Sequence, residues 1–135
     1  MGRKREQITA AELRIMKVLW KIGPSTVRQC LDALAGSGSD APAYTTVMTM
    51  MSQLAEKGVL EVDRERQPFV YTPAMQREQV LKQRVAQFLQ NVFDGQAEDL
   101  VLHLAEEADL SSEDLRRIEA KIRAREEAEA REKKT

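Results

Sequence analysis

The hydrophobic period of this chain changes at Gly58. Before it, apolar residues recur every three or four positions in three separate stretches, the spacing of helices with one buried face. After it, Val59-Leu60-Glu61-Val62-Asp63 and Phe69-Val70-Tyr71-Thr72 are rich in β-branched and aromatic residues, as strands are. Arg64-Glu65-Arg66-Gln67-Pro68 between them suits an exposed hairpin tip. Three helices and then a hairpin, all within roughly 65 residues, is the element order of a winged helix-turn-helix. The expected fold is therefore mainly α with a small β-hairpin.

Local signals support each element. Thr9-Ala-Ala-Glu12 has the pattern of a capping box, with Ile8 and Leu13 placed to close a hydrophobic staple. Leu13, Ile15, Met16, Leu19 and Trp20 form the stripe of the first helix, which ends at Gly23-Pro24. Ser25 is the expected cap of a second helix carrying Val27, Cys30, Leu31 and Leu34. The run from Ala35 to Pro42 reads as a flexible loop. The third helix spans residues 44–57 and is closed by Lys57-Gly58, where glycine supplies the left-handed stop.

Beyond Pro73 the pattern is helical throughout. Val80, Leu81, Val85, Phe88, Leu89 and Val92 make one stripe, interrupted at Phe93-Asp94-Gly95. A short segment from Leu100 to Ala105 follows, and Ser111-Ser-Glu-Asp114 caps a last helix carrying Leu115, Ile118 and Ile122. From Arg123 on, the chain is Ala, Arg, Glu and Lys, a solvated helix end or a disordered tail. The expected organisation is a winged-helix domain at 1–73, a helical dimerisation domain at 74–122 and a charged tail at 123–135. Such thin helices cannot bury their own apolar faces. The expected interface with a second copy comprises Val80, Leu81, Val85, Phe88, Leu89, Val92, Phe93, Leu115, Ile118 and Ile122, each contributing at most about 1.5–3 kcal/mol on burial. The alternative is an arm folded back on its own domain.

Composition narrows the function classes. Cys30 is single and cannot form an internal disulfide, and no signal peptide precedes the first helix pattern, so a cytoplasmic protein is expected. No apolar run is long enough to span a bilayer, so no membrane insertion is expected. His103 and Cys30 have no neighbouring ligand partners, so neither a metal nor another cofactor is expected. Net charge is −1, but residues 1–73 hold ten Lys/Arg against eight Asp/Glu and the remainder eleven against fourteen. A slightly basic first part and an acidic second part suggest two jobs.

Placed by 100° steps, Val47, Met50, Met51 and Leu54 of the third helix share one face. Thr45, Met48, Thr49, Ser52 and Glu56 lie opposite, with Thr46, Gln53 and Lys57 on a flank. Hydroxyls, an amide and a thioether suit base edges in a DNA major groove: Gln pairs with adenine, and Thr or Met48 meets a thymine methyl. The face has no Arg or Lys, so phosphate affinity has to come from Arg3-Lys-Arg5, Arg28, Lys57, Arg64 and Arg66. Thr45 and Thr46 add hydroxyls near the helix N-terminus, where backbone amides also favour phosphate. Two rival readings are a winged-helix protein–protein adaptor that binds no DNA and, more distantly, an enzyme. His103 among leucines and Cys30 on an apolar stripe do not form a convergent catalytic site.

The chain resembles the penicillinase-repressor family, which includes the methicillin-resistance and copper repressors. The resemblance rests on Thr9-Ala-Ala-Glu-Leu13, Ile15-Met-Lys-Val-Leu-Trp20, Gly23-Pro24 with Thr26-Val27, and Tyr44-Thr-Thr-Val-Met-Thr-Met50. Glu56-Lys-Gly58, Phe69-Val-Tyr71 with Pro73, Phe93-Asp-Gly95 and Leu100-Val-Leu102 complete it. It implies a homodimer that binds a palindromic double-stranded operator and represses transcription. It also implies relief by proteolysis, through a membrane sensor protease or a downstream protease. The corresponding bond here is His103-Leu104, where the resistance repressors carry Asn-Phe. Thr45, Met48 and Gln53 stand where those repressors have basic residues, and the copper repressors' cysteine cluster is absent from this tail.

Overall fold

The computed structural model describes residues 7–37 and 40–134. Arg3-Lys-Arg5, expected to supply phosphate affinity, and residues 38 and 39 of the expected loop lie outside them. The described chain forms six helices and one hairpin: α1 (Ala10–Ile22), α2 (Val27–Gly36), α3 (Tyr44–Glu56), β1 (Leu60–Asp63), β2 (Val70–Pro73), α4 (Arg77–Phe93), α5 (Ala97–Glu107) and α6 (Ser112–Lys134).

The ends of these elements are set by short-range hydrogen bonds. At α1, Glu12 N donates to Thr9 Oγ1 (3.1 Å) and Thr9 N to Glu12 Oε1 (3.0 Å), so two otherwise unpaired amides are satisfied reciprocally. The cap of α2 is Thr26 rather than Ser25, and it forms the same box with Gln29. Ser25 is drawn away because its backbone pairs with Tyr71 in both directions (2.9 and 2.8 Å). α3 ends in a Schellman motif: Gly58 N donates to Ala55 O and Val59 N to Leu54 O, with Gly58 at φ +82°. A side chain at that φ would be strained.

β1 and β2 are antiparallel, with Leu60 opposite Pro73 and Val62 opposite Tyr71. The Ser25–Tyr71 bridge adds the α1–α2 turn to the other edge of β2. Ile15, Met16, Leu19, Leu34, Val47, Met51, Leu54, Leu60 and Tyr71 fill the core between the three helices and the hairpin. Trp20 Nε1 donates to Met75 O at 3.0 Å, tying the end of the hairpin to α1.

The chain divides into two compact units between Arg84 and Val85. The first therefore runs past Pro73 and takes in the start of α4. Val80, expected on an interface with a second copy, is 1% exposed in the core of the first unit. Its register on α4 turns it inward, so it is already covered within its own chain. Leu81 is half-buried in the same unit, and Arg84 donates through Nη1 to Ile8 O.

In the second unit α4 stops at Asp94 (φ +51°) and Gly95 (φ +80°), whose amide donates to Leu89 O. Phe93 packs edge-on against both Phe88 and His103. Ser111 caps α6 in a box with Asp114. The Ser111 amide, then its hydroxyl, and Arg117 hold the Asp114 carboxyl below its ordinary value. Among the described residues neither α5 nor α6 buries a side chain, and α6 remains helical and exposed from Arg123 to Lys134.

Candidate nucleic-acid interface

α3 is held by one face and free on the other. Val47, Met51 and Leu54 are buried, while Thr45, Thr46, Met48, Thr49, Ser52 and Gln53 are all exposed. Met50, expected in the core, is half-buried at its edge. The free face thus holds hydroxyls, one amide and one thioether, and its only charge is Glu56. The N-cap, Ala43, offers no side-chain acceptor, unlike Thr9 and Thr26. The first amides of α3 are therefore left to an outside acceptor, with the positive end of the helix dipole behind them. Arg14 Nη2 donates to Asp40 O at 2.9 Å, which anchors the approach to this end.

Arg28 lies beside the same end. Its guanidinium stacks over the Tyr44 ring at 5.2 Å and reaches Asp32 only at 3.9 Å. A guanidinium placed over a ring face is not neutralised by it, so this arrangement presents a cation rather than consuming it. Tyr44 was not among the residues expected to contact DNA. The signal available was an aromatic at the first position of a helix whose flank otherwise carries only small polar groups.

At the other end the expectation is corrected. Lys57, expected on phosphate, is bound within the protein: Nζ lies 2.6 Å from Glu12 Oε1 and 2.9 Å from Gln7 O, with 11% of the side chain exposed. A buried carboxylate needs its cation, so this lysine is withdrawn from the surface.

The hairpin tip supplies the remaining cations. Arg64 and Arg66 are both exposed, and Arg64 stacks over Phe69 at 5.9 Å. Glu65 N donates to Asp63 Oδ1 at 3.0 Å, an Asx turn that shapes the tip. Among the described residues no group of His, Cys, Asp and Glu is placed to hold a metal, and no helix is long and apolar enough to cross a membrane. His103 and Leu104 lie within α5, in the second unit.

A helical trio closed by a hairpin, with a polar face free of basic residues on the third helix and arginines at its flank and on the hairpin, defines a winged helix-turn-helix protein. Comparison with known proteins gives the family: the penicillinase repressor profile matches residues 8–124, and the chain belongs to that family. It is 30% identical over 116 residues to the penicillinase repressor of Bacillus licheniformis, covering 86% of this chain and 89% of that one. It is 32% identical over 116 residues to the transcriptional regulator BlaI of Mycobacterium tuberculosis, covering 84% and 83%. The solution structure of the DNA-binding domain of the repressor BlaI covers 56% of this chain and 90% of its own, at 33% identity and a TM-score of 0.47.

Proposed function

We propose that this chain is a DNA-binding transcriptional repressor that acts as a homodimer on a palindromic operator. The observation that carries the reading is α3: its apolar side is locked into the core, and its opposite side exposes groups that match base edges. Thr45 to Gln53 enter a major groove. Arg28 and the α3 amides engage phosphate at one end, and Arg64 and Arg66 grip the flanking backbone or minor groove. Family membership and relatives named as repressors support the same reading.

The homodimer is supported by the second unit, where Val85, Phe88, Val92, Leu115, Ile118 and Ile122 are all exposed. A second copy covers them, joined by the half-buried Leu89 and Phe93. Regulation by cleavage at His103-Leu104 is the finer part of the proposal. The bond lies in the middle of α5, so a protease acting there needs that helix to open locally.

Gel shifts on the DNA upstream of the chain's own gene test the function. Specific binding is expected, and replacing Thr49 and Gln53 together by Ala abolishes the sequence preference. A double variant that binds the same DNA as tightly as wild type removes α3 as the reader. Binding that ignores salt contradicts phosphate contact and favours a protein partner.

A further inference from the structure

We propose that α3 selects thymine and adenine rather than guanine, and that Met48 is the side chain that recognises thymine. The inference rests on the DNA-binding reading above. Guanine presents two acceptors, N7 and O6, to the major groove, and its usual partner is a cation donating to both. None is available on the exposed face of α3. That face holds the hydroxyls of Thr45, Thr49 and Ser52, the Gln53 amide, the Met48 thioether and the Glu56 carboxylate. Lys57, the adjacent cation, is held 2.6 Å from Glu12. Arg28 belongs to α2 and stacks over Tyr44 at the helix N-terminus. Glu56 accepts only, so guanine's acceptor pair repels it.

What the face does hold fits the other purine pair. The Gln53 amide has one donor and one acceptor group, the complement of adenine N6 and N7. Met48 is 40% exposed, as is Tyr44 at the start of the helix under Arg28, on a helix whose Val47, Met51 and Leu54 are buried. It sits mid-face, one turn from Thr45 and one turn from Ser52, so its environment is otherwise hydrogen-bonding. An isolated exposed methionine is ordinary on a protein surface. At the centre of a reading face its match is the thymine C5 methyl, the apolar group on the major-groove edge. The flexible, polarisable thioether adapts to that contact.

The test uses the full chain. Duplexes retained from a randomised pool are sequenced, and the tightest is remade with each thymine replaced in turn by uracil, which lacks the methyl. Affinities are read by fluorescence anisotropy for wild type, Met48→Ala and Met48→Leu. The expected result is a thymine in each half-site whose replacement by uracil weakens wild-type binding by about 4-fold, the value of one buried methyl-sized group. The same replacement leaves Met48→Ala binding unchanged and still weakens Met48→Leu. Uracil without effect at every position overturns the proposal. So does an equal loss in wild type and Met48→Ala, or a position relaxed in Met48→Ala that proves to be guanine. A pool from which no sequence is enriched at any salt concentration instead overturns the DNA-binding reading itself.

Discussion

Lys57 Nζ and Glu12 Oε1 lie 2.6 Å apart, with only 11% and 2% of their side chains exposed. The pair joins the C-cap residue of α3 to the first turn of α1 across 45 positions of sequence. Removing one partner strands the other charge in a desolvated site. Lys57→Ala is therefore expected to lower unfolding free energy by about 3 kcal/mol in urea titrations. Glu12→Gln combined with Lys57→Met, which keeps the Thr9 capping acceptor but removes both charges, recovers at least half of that loss. A cost below about 1 kcal/mol for Lys57→Ala contradicts the structural role.

Arg64 and Arg66 stand on an exposed tip, and neither is buried; Arg64 lies over the half-buried Phe69 ring at the edge of the core. Replacing both by Ala leaves stability within about 0.5 kcal/mol of wild type. DNA affinity falls for every sequence alike, and the slope of log affinity against log salt becomes shallower by up to about 2. Salt titrations on specific and random duplexes measure both effects.

The second unit carries its apolar groups outward, with Val85 at 59% and Val92 at 57% exposure. Replacing both by Glu does not disturb the core of the first unit, yet it places charge in the proposed interface with a second copy. Sedimentation is expected to show a monomer, with operator affinity reduced about 100-fold or more through loss of bivalent binding. A dimer that survives both substitutions places the contact elsewhere.

Truncation reports where the first unit ends. A chain stopping at Pro73 loses Val80 from the core and the Arg84 hydrogen bond to Ile8 O. One stopping at Arg84 keeps both. The shorter fragment is expected to be less stable by about 2–3 kcal/mol, chiefly from Val80, and equal stabilities would restore the boundary to Pro73.

Burial pushes the Cys30 thiol from its ordinary 9.0 up to about 11. The folded protein therefore keeps a neutral, inert thiol at pH 8, and native alkylation proceeds only as fast as the chain opens. In the unfolded chain the thiol ionises near its ordinary value. This group's stabilisation is thus complete below pH 9 and is lost as pH rises from 9 to about 11. Rapid labelling at pH 8 in the absence of denaturant excludes the buried placement.

What the sequence revealed was local. The Thr9–Glu12 box, the Gly58 stop, the hairpin and the exposed set on α3 each depend on neighbours a few positions away, so spacing and residue type reveal them. The misreadings share a different cause. Lys57 at a helix end looks like a phosphate contact until Glu12 arrives from distant sequence. Val80 and Val85 belong to one apolar stripe, and periodicity cannot say that the first packs inside its own unit while the second stays exposed. Ser25 and Thr26 are equally good caps by type. The strand partner Tyr71 decides between them, and Tyr44 gains significance only through Arg28 from the preceding helix.

Two hydrogen bonds between Ser25 and Tyr71 make the hairpin a continuation of the turn between the first two helices. The base of the hairpin is thereby committed to the same frame that carries α3, while the tip from Arg64 to Pro68 is wholly exposed. Evolution can therefore rewrite the tip, in charge or in length, without redesigning the scaffold. A change at that edge would alter the contacts proposed for the tip while leaving the third helix at an unchanged angle.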